Sequence, residues 1–182
     1  MAGLPDHRIS GSTTKPQAEI DTVLGDNPIQ NDISTLEKLL YTEAVIHETM
    51  RLKSVTPLLF IEPNRDVEIA GQSIAKGTFL MLLTRYGVLQ EENFTEARRF
   101  IPERWLESKQ PKCAHNRNAS MPFEAGPQFC PGRNLAMLEM KMAVAMLCKN
   151  FSVTRVEKGQ PVHEVFFFTM MPENLIVKFE AR

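Results

Sequence analysis

The sequence predicts a mixed α and β fold, mainly α, with small β-sheets. Three observations carry that reading. Two stretches before residue 53 and one after residue 131 repeat apolar residues at helical spacing behind residues that favour helix starts. From residue 58 the apolar runs shorten, turn β-rich and are broken by Gly and Pro. After residue 150 a tail rich in Val and Phe returns to that β character.

The elements follow in order. Residues 1–13 mix Gly, Ser, Pro and charge and read as a disordered start. In TTKPQAEIDTVLGD, Thr14 with Gln17 gives a capping-box pattern, Pro16 suits a first turn and Gly25 suits a stop, which predicts a helix over 14–25. STLEKLLYTEAVIHETMRL predicts a single helix over 34–52. There Ser34 and Glu37 form a capping box, and Leu36, Leu39, Leu40, Ala44, Val45 and Met50 recur at helical spacing. LLFIE, DVEIAG, QSIAKG and TFLMLLTRY read as strands in hairpins turning near Gly71 and Gly77. EENFTEARRFIPERWLESKQPK is irregular with one short helix. RNLAMLEMKMAVAMLCKNF is a strongly apolar helix over 132–149, whose Met137, Met140, Met142 and Met146 read as core filler rather than as thioether ligands. The tail reads as β with a turn at 172–174. No repeat and no domain boundary interrupts the chain beyond its loose start.

Composition narrows the function classes. The 182 residues carry a net charge of −1, with 43% hydrophobic and 24% charged residues, an ordinary globular balance. Near-neutral charge without a long basic run gives no case for nucleic acid. Three widely spaced cysteines, Cys113, Cys130 and Cys148, form no CxxC pair and argue against a thiolate zinc site or a disulfide scaffold. Cys148 reads as a buried small hydrophobe, and His47 and His163 as structural histidines. No stretch is long and apolar enough to span a bilayer, and the start, MAGLPDHRISGSTTKPQ, lacks the apolar core of a secretory signal. With no compartment marked, the default expectation is cytoplasmic.

The most informative segment is FEAGPQFCPG, residues 123–132. Cys130 stands two residues before the glycine that opens the apolar helix, where the helix dipole and free backbone N–H groups favour a thiolate. Gly126 permits a bend, Pro131 fixes φ at the helix start, Gly132 allows close approach of something flat and large, and Phe123 supplies an aromatic lid. Such a thiolate could serve as a nucleophile, a redox sensor or a metal ligand. A nucleophile wants a base, and His115 lies in a polar loop with no arrangement that singles it out. A redox pair wants a resolving cysteine, and Cys148 lies about five helical turns away. A lone axial thiolate on heme iron wants neither.

Residues 123–132 resemble the heme-binding loop of the cytochrome P450 family, Phe-x-x-Gly-x-x-x-Cys-x-Gly. ETMR at 48–51 resembles the family's Glu-x-x-Arg helix, and FIPERW at 100–105 its Phe-x-Pro-Glu-Arg segment. The likeness covers residues 14–182, as the carboxyl-terminal part of the P450 fold. It implies a monooxygenase that inserts one oxygen atom of O2 into a small apolar substrate, with electrons from a reductase or ferredoxin. It implies heme b, with Cys130 as the proximal thiolate that favours O–O cleavage and Phe123, Gly126, Gln128 and Gly132 around it. Glu48, Arg51 and Arg104 take a structural role, clamping the loop region onto the helix. Read alone, Glu48 and Arg51 would be a solvated surface pair. Val55, Thr56, Leu58, Leu59, Met170 and Met171 fall where the family lines its substrate pocket, with core packing as the competing reading.

Three positions depart from the family pattern. Gln128 stands where an arginine usually pairs with a heme propionate, and charge-assisted bonds are roughly twice as strong as neutral ones. Glu124 stands where glycine usually follows Phe123, and LLFIEPNRD lacks the arginine often found in that strand. The family's oxygen-activating helix has no counterpart before residue 14, so the expectation is a truncated chain. The alternative function is then a non-catalytic heme-binding or interaction fragment.

Overall fold

The computed structural model describes residues 14–26, 32–106, 115–156 and 161–182. The loose start at 1–13 and Cys113 lie outside the described residues. Helix α1 (Thr14–Leu24) buries Pro16, Ile20 and Leu24 and stops at Gly25, whose φ of +55° is the left-handed conformation glycine adopts freely.

The stretch expected as one helix over 34–52 is two: α2 (Ile33–Leu36) and α3 (Leu40–Leu52). Two carboxylates explain the break. Asp32, not Ser34, caps α2: its side chain accepts from the Ser34 N–H at 3.1 Å and from the Ser34 and Thr35 hydroxyls at 2.6 and 2.9 Å. Glu19 of α1 then starts α3 from outside, accepting from the Tyr41 and Thr42 N–H groups at 2.7 and 2.8 Å and from the Thr42 hydroxyl at 2.8 Å. Leu39, fully buried at the break, sits at ψ 70° in the N-cap position of α3.

Strands β1 (Leu59–Ile61), β2 (Val67–Ile69), β3 (Gln72–Ile74) and β4 (Leu80–Leu82) follow. A hairpin turns at Gly71, where β2 pairs β3 antiparallel. The second expected hairpin, at Gly77, is different. β4 returns to pair with β1, enclosing the β2–β3 hairpin, and Gly77 makes a turn whose N–H donates to the Pro63 carbonyl at 3.0 Å. The run TFLMLLTRY is strand only to Leu82, because helix α4 (Thr84–Val88) begins inside it. A 3-10 turn over Pro102–Trp105 is the short helix of the irregular segment.

Helix α5 (Arg133–Asn150) packs on α1, α2 and α3. Ile20, Leu24, Leu36, Leu39 and Ala145 form the core there, with Cys148 half-buried against it. Desolvation pushes the Cys148 thiol up, which keeps it neutral. The methionines of α5 are not core filler: Met137, Met140 and Met146 are half-buried and Met142 is exposed. Glu139, Lys141 and Lys149 interrupt the helix's apolar residues, and packing buries only the stripe of Lys141 and Ala145.

The tail forms β5 (Phe151–Arg155), β6 (His163–Phe166), β7 (Met170–Glu173) and β8 (Val177–Ala181), with β5 pairing β8 and β6 pairing β7. The turn expected at 172–174 moves to 167–169: Pro172 sits within β7 opposite Glu164, and Asn174, at φ 62°, leads toward β8.

Candidate functional site

Two pieces make up the site. The first is a buried charge cluster. Helix α3 places Glu48 and Arg51 one turn apart on its inner face, and both side chains are fully buried. Glu48 Oε2 accepts from Arg51 Nε at 2.8 Å, and Glu48 Oε1 accepts from Arg51 Nη2 at 2.8 Å. Arg104, on the 3-10 turn, donates from Nε to Glu48 Oε1 at 3.2 Å. The Ile101 N–H donates to Oε1 at 2.9 Å, and the Trp105 indole N–H donates to Oε2 at 2.9 Å. Arg51 spends its remaining donors on the carbonyls of Val88, Ala97 and Arg99, at 2.8, 2.6 and 3.1 Å. The fully buried Phe94 ring lies under both guanidiniums, 4.8 Å from that of Arg51 and 5.9 Å from that of Arg104.

Burial pushes the Glu48 carboxyl up, but the hydrogen bonds from Arg51, Ile101 and Trp105 and the Arg51 charge outweigh it. The carboxyl is held below its ordinary range. This is not a solvated surface pair. Among the described residues the trio's partners lie between Val88 and Arg117, in the segment that leads to the cysteine loop, not in the loop itself.

The second piece is the loop. The Cys130 N–H donates to the Phe123 carbonyl at 3.0 Å and closes it. Inside, the Phe129 N–H donates to the Gly126 carbonyl at 3.2 Å across a 3-10 turn over Gly126–Gln128. Gly126 sits at φ +66°, where a side chain is disfavoured. Glu124 sits at φ +61° without glycine's freedom, so the loop holds local strain there. The side chain of Gln128 lies outside the described residues. Cys130 and Phe123 are half-buried. The Cys130 carbonyl accepts from the Arg133 N–H at 3.2 Å, which fixes the cysteine to the start of α5. A Cβ at Gly132 would stand 3.7 Å from the Cys130 sulfur, in the space beside it.

The two segments expected at a substrate pocket meet. The Met170 N–H donates to the Val55 carbonyl at 2.8 Å. Val55, Thr56 and Met171 are exposed, and Leu58, Leu59 and Met170 are half-buried, so none of the six belongs to the buried core. Glu164 of β6 reinforces the meeting, taking Lys53 at 2.5 Å and Arg85 at 2.6 Å. Residues 53, 85 and 164 share no spacing that sequence reading could detect. Trp105 was equally invisible as a participant, though it ends the FIPERW motif.

Among the described residues no group of three or more His, Cys, Asp or Glu could hold a metal ion between them, and no helix is long and apolar enough to cross a membrane. Residues 12–179 match the family model "Cytochrome P450". The chain is 37% identical over 146 residues to rabbit (Oryctolagus cuniculus) cytochrome P450 3A6, covering 80% of this chain and 28% of that protein. It is 32% identical to the cytochrome P450 monooxygenase efuB of Hormonema carpetanum, covering 91% and 34%. It is 31% identical to mouse (Mus musculus) mitochondrial 1,25-dihydroxyvitamin D(3) 24-hydroxylase, covering 85% and 29%. The chain thus spans about a third of the length of these curated relatives.

Proposed function

The chain belongs to the cytochrome P450 family, and from that premise we propose that it holds heme b through Cys130 and serves the oxidation of a small apolar organic molecule by O2. The observation that carries this reading is the loop: a half-buried sulfur, fixed by backbone bonds to a helix start, beside a glycine whose missing side chain leaves space next to it. Those features fit the group. When bound, heme would supply the iron at which O2 is activated and one oxygen atom is passed to the substrate.

The chain's own residues would do the rest. Cys130 would offer its thiolate, and the first turn of α5 has N–H groups without intrahelical partners, available to hydrogen-bond the sulfur. Phe123, Gly126 and Gly132 would shape the loop, and the Gln128 amide would meet a propionate where the family uses charge. Glu48, Arg51 and Arg104 would hold the approach to the loop rigid. Val55, Thr56, Leu58, Leu59, Met170 and Met171 would border the substrate. We take residues 14–182 as the carboxyl-terminal part of a P450 domain that receives electrons from a reductase or ferredoxin.

A second reading is a heme-binding or interaction fragment without turnover. Exposed apolar side chains at the tail hairpin, Phe167 at 88% and Phe168 at 87%, favour it. The test is a carbon monoxide difference spectrum of the chain reconstituted with hemin and reduced. A Soret band at the red-shifted thiolate position, lost in Cys130→Ala, supports heme ligation by Cys130. A band at the neutral-ligand position sinks it. Oxygen consumption with an artificial reductant then separates the two readings.

A further inference from the structure

We propose that Trp105 and His47 are positioning residues that couple the buried Glu48 cluster to the helix carrying the cysteine loop, with the charge on His47 setting how firmly the coupling holds. Its functional meaning rests on the proposed role of Cys130; the coupling itself stands on geometry.

The contacts form one continuous path. The Trp105 indole N–H donates to Glu48 Oε2 at 2.9 Å. The indole stacks on the His47 ring, with centroids 5.1 Å apart and planes 25° from parallel. His47 Nε2 lies 3.7 Å from Glu43 Oε1. Glu43 Oε2 in turn accepts from Lys141 Nζ on α5. That helix begins where the Arg133 N–H meets the Cys130 carbonyl. The path therefore crosses from the 3-10 turn to α3 and from α3 to α5, which it meets at Lys141, about two turns along the helix from the loop's anchor.

Lys141 fixes the α5 end of the path. Its side chain is only 10% exposed, and a buried ammonium needs a counter-charge, so Glu43 is committed to it. The His47 ring 3.7 Å away, together with the bond and charge of Lys141, brings the Glu43 carboxyl down to about 2 against the opposing effect of burial. Glu43 thus stays anionic wherever histidine changes charge. A neutral His47 leaves it to Lys141 alone; an imidazolium draws it toward Trp105 as well. The other charged groups facing this point are Arg133 of α5 and Glu37 after α2, across a cleft of ≈ 510 Å³. On the far side of Trp105 stand the His115 ring at 6.2 Å and the Arg117 guanidinium at 5.5 Å.

Trp105 is the chain's single tryptophan, so indole emission of the full heme-free chain reports on this point. Scanned from about pH 8 to about pH 5, emission should fall as an imidazolium comes to lie against the ring. The transition should vanish in His47→Gln and survive in His115→Gln. A parallel readout is alkylation of Cys130 at neutral pH, resolved by peptide mass from the other two cysteines. His47→Gln and Glu43→Gln should each raise its rate roughly 3- to 10-fold, while Lys178→Gln, in an exposed tail ion pair, should leave it unchanged.

A flat wild-type scan, a transition that persists in His47→Gln, or an unmoved alkylation rate overturns the coupling. If His47→Gln does not fold, His47→Phe keeps the stacked ring without a charge and must lose the same transition. Both readouts are heme-free, so an absent thiolate Soret band would sink the heme reading and leave these results standing. An unmoved rate beside a normal Soret band would sink only the coupling.

Discussion

Glu48 and Cys130 sit at the centres of the two pieces of the site, and their surroundings are opposite. Glu48 is wholly buried and accepts at least five hydrogen bonds, from Arg51, Ile101, Arg104 and Trp105. Cys130 is half-buried, and what holds it is backbone, from Phe123 on one side and Arg133 on the other. The first arrangement is complete without any other molecule, so its worth is stability. The second fixes a sulfur in place and leaves it accessible, so its worth is in what it meets. Substitutions should separate the two.

The largest effect is expected at Glu48. Glu48→Gln strands two buried guanidiniums and should lower stability by roughly 3–5 kcal/mol, read as a shift of the urea midpoint. The same carboxyl governs the acid limb. Its folded value lies below its ordinary 4.5, so the unfolded chain binds its proton first. Its contribution is complete above about pH 4.5 and is lost as pH falls through the folded value. Glu43, brought down to about 2, acts in the same direction between 4.5 and 2. Stability measured from pH 6 downward should therefore decline in the wild type, and less steeply in Glu48→Gln.

A smaller loss is expected for Trp105→Phe, which keeps the ring but removes one donor to a buried charge, about 1.5–3 kcal/mol. If it costs nothing, the cluster is less tightly built than its distances indicate. Glu124→Gly should run the other way and stabilise the chain by about 0.5–1 kcal/mol, because it relieves a φ of +61° at the price of a freer unfolded chain. Smallest on stability is Cys130→Ala, within about 0.5 kcal/mol, although it should abolish the thiolate Soret band. A large loss of stability there would mean that the sulfur is a packing atom and would erase the contrast.

What could be read from the residues followed the range of the interactions. Gly126, Pro131 and the cysteine between helix and loop are local signals, as is the i, i+3 spacing of Glu48 and Arg51. The break between α2 and α3 was not legible, because the carboxylate that starts α3 is Glu19, more than twenty residues upstream. Periodicity continues across the break, since Leu36 and Leu39 are buried either way. The β1–β4 pairing was missed for a similar reason: Gly77 signals a turn but does not say which strand the chain will meet afterwards. The methionines of α5 misled in another way. Four methionines in one helix suggest a packed core, but composition does not say which residues packing covers, and here it buries Lys141 and Ala145 instead.

The borrowed cap on α3 also bears on the order in which the chain assembles. A short helix without its own N-cap is marginal in water, and α3 has Leu39 where a capping side chain would stand. Its first turn is secured only once α1 has swung Glu19 into place. A peptide of residues 39–53 should therefore fray at its start, whereas one of residues 14–53 can hold it. The Glu48–Arg51 pair lies beyond that first turn, so nucleation of the buried cluster is tied to an encounter between two helices rather than to either alone.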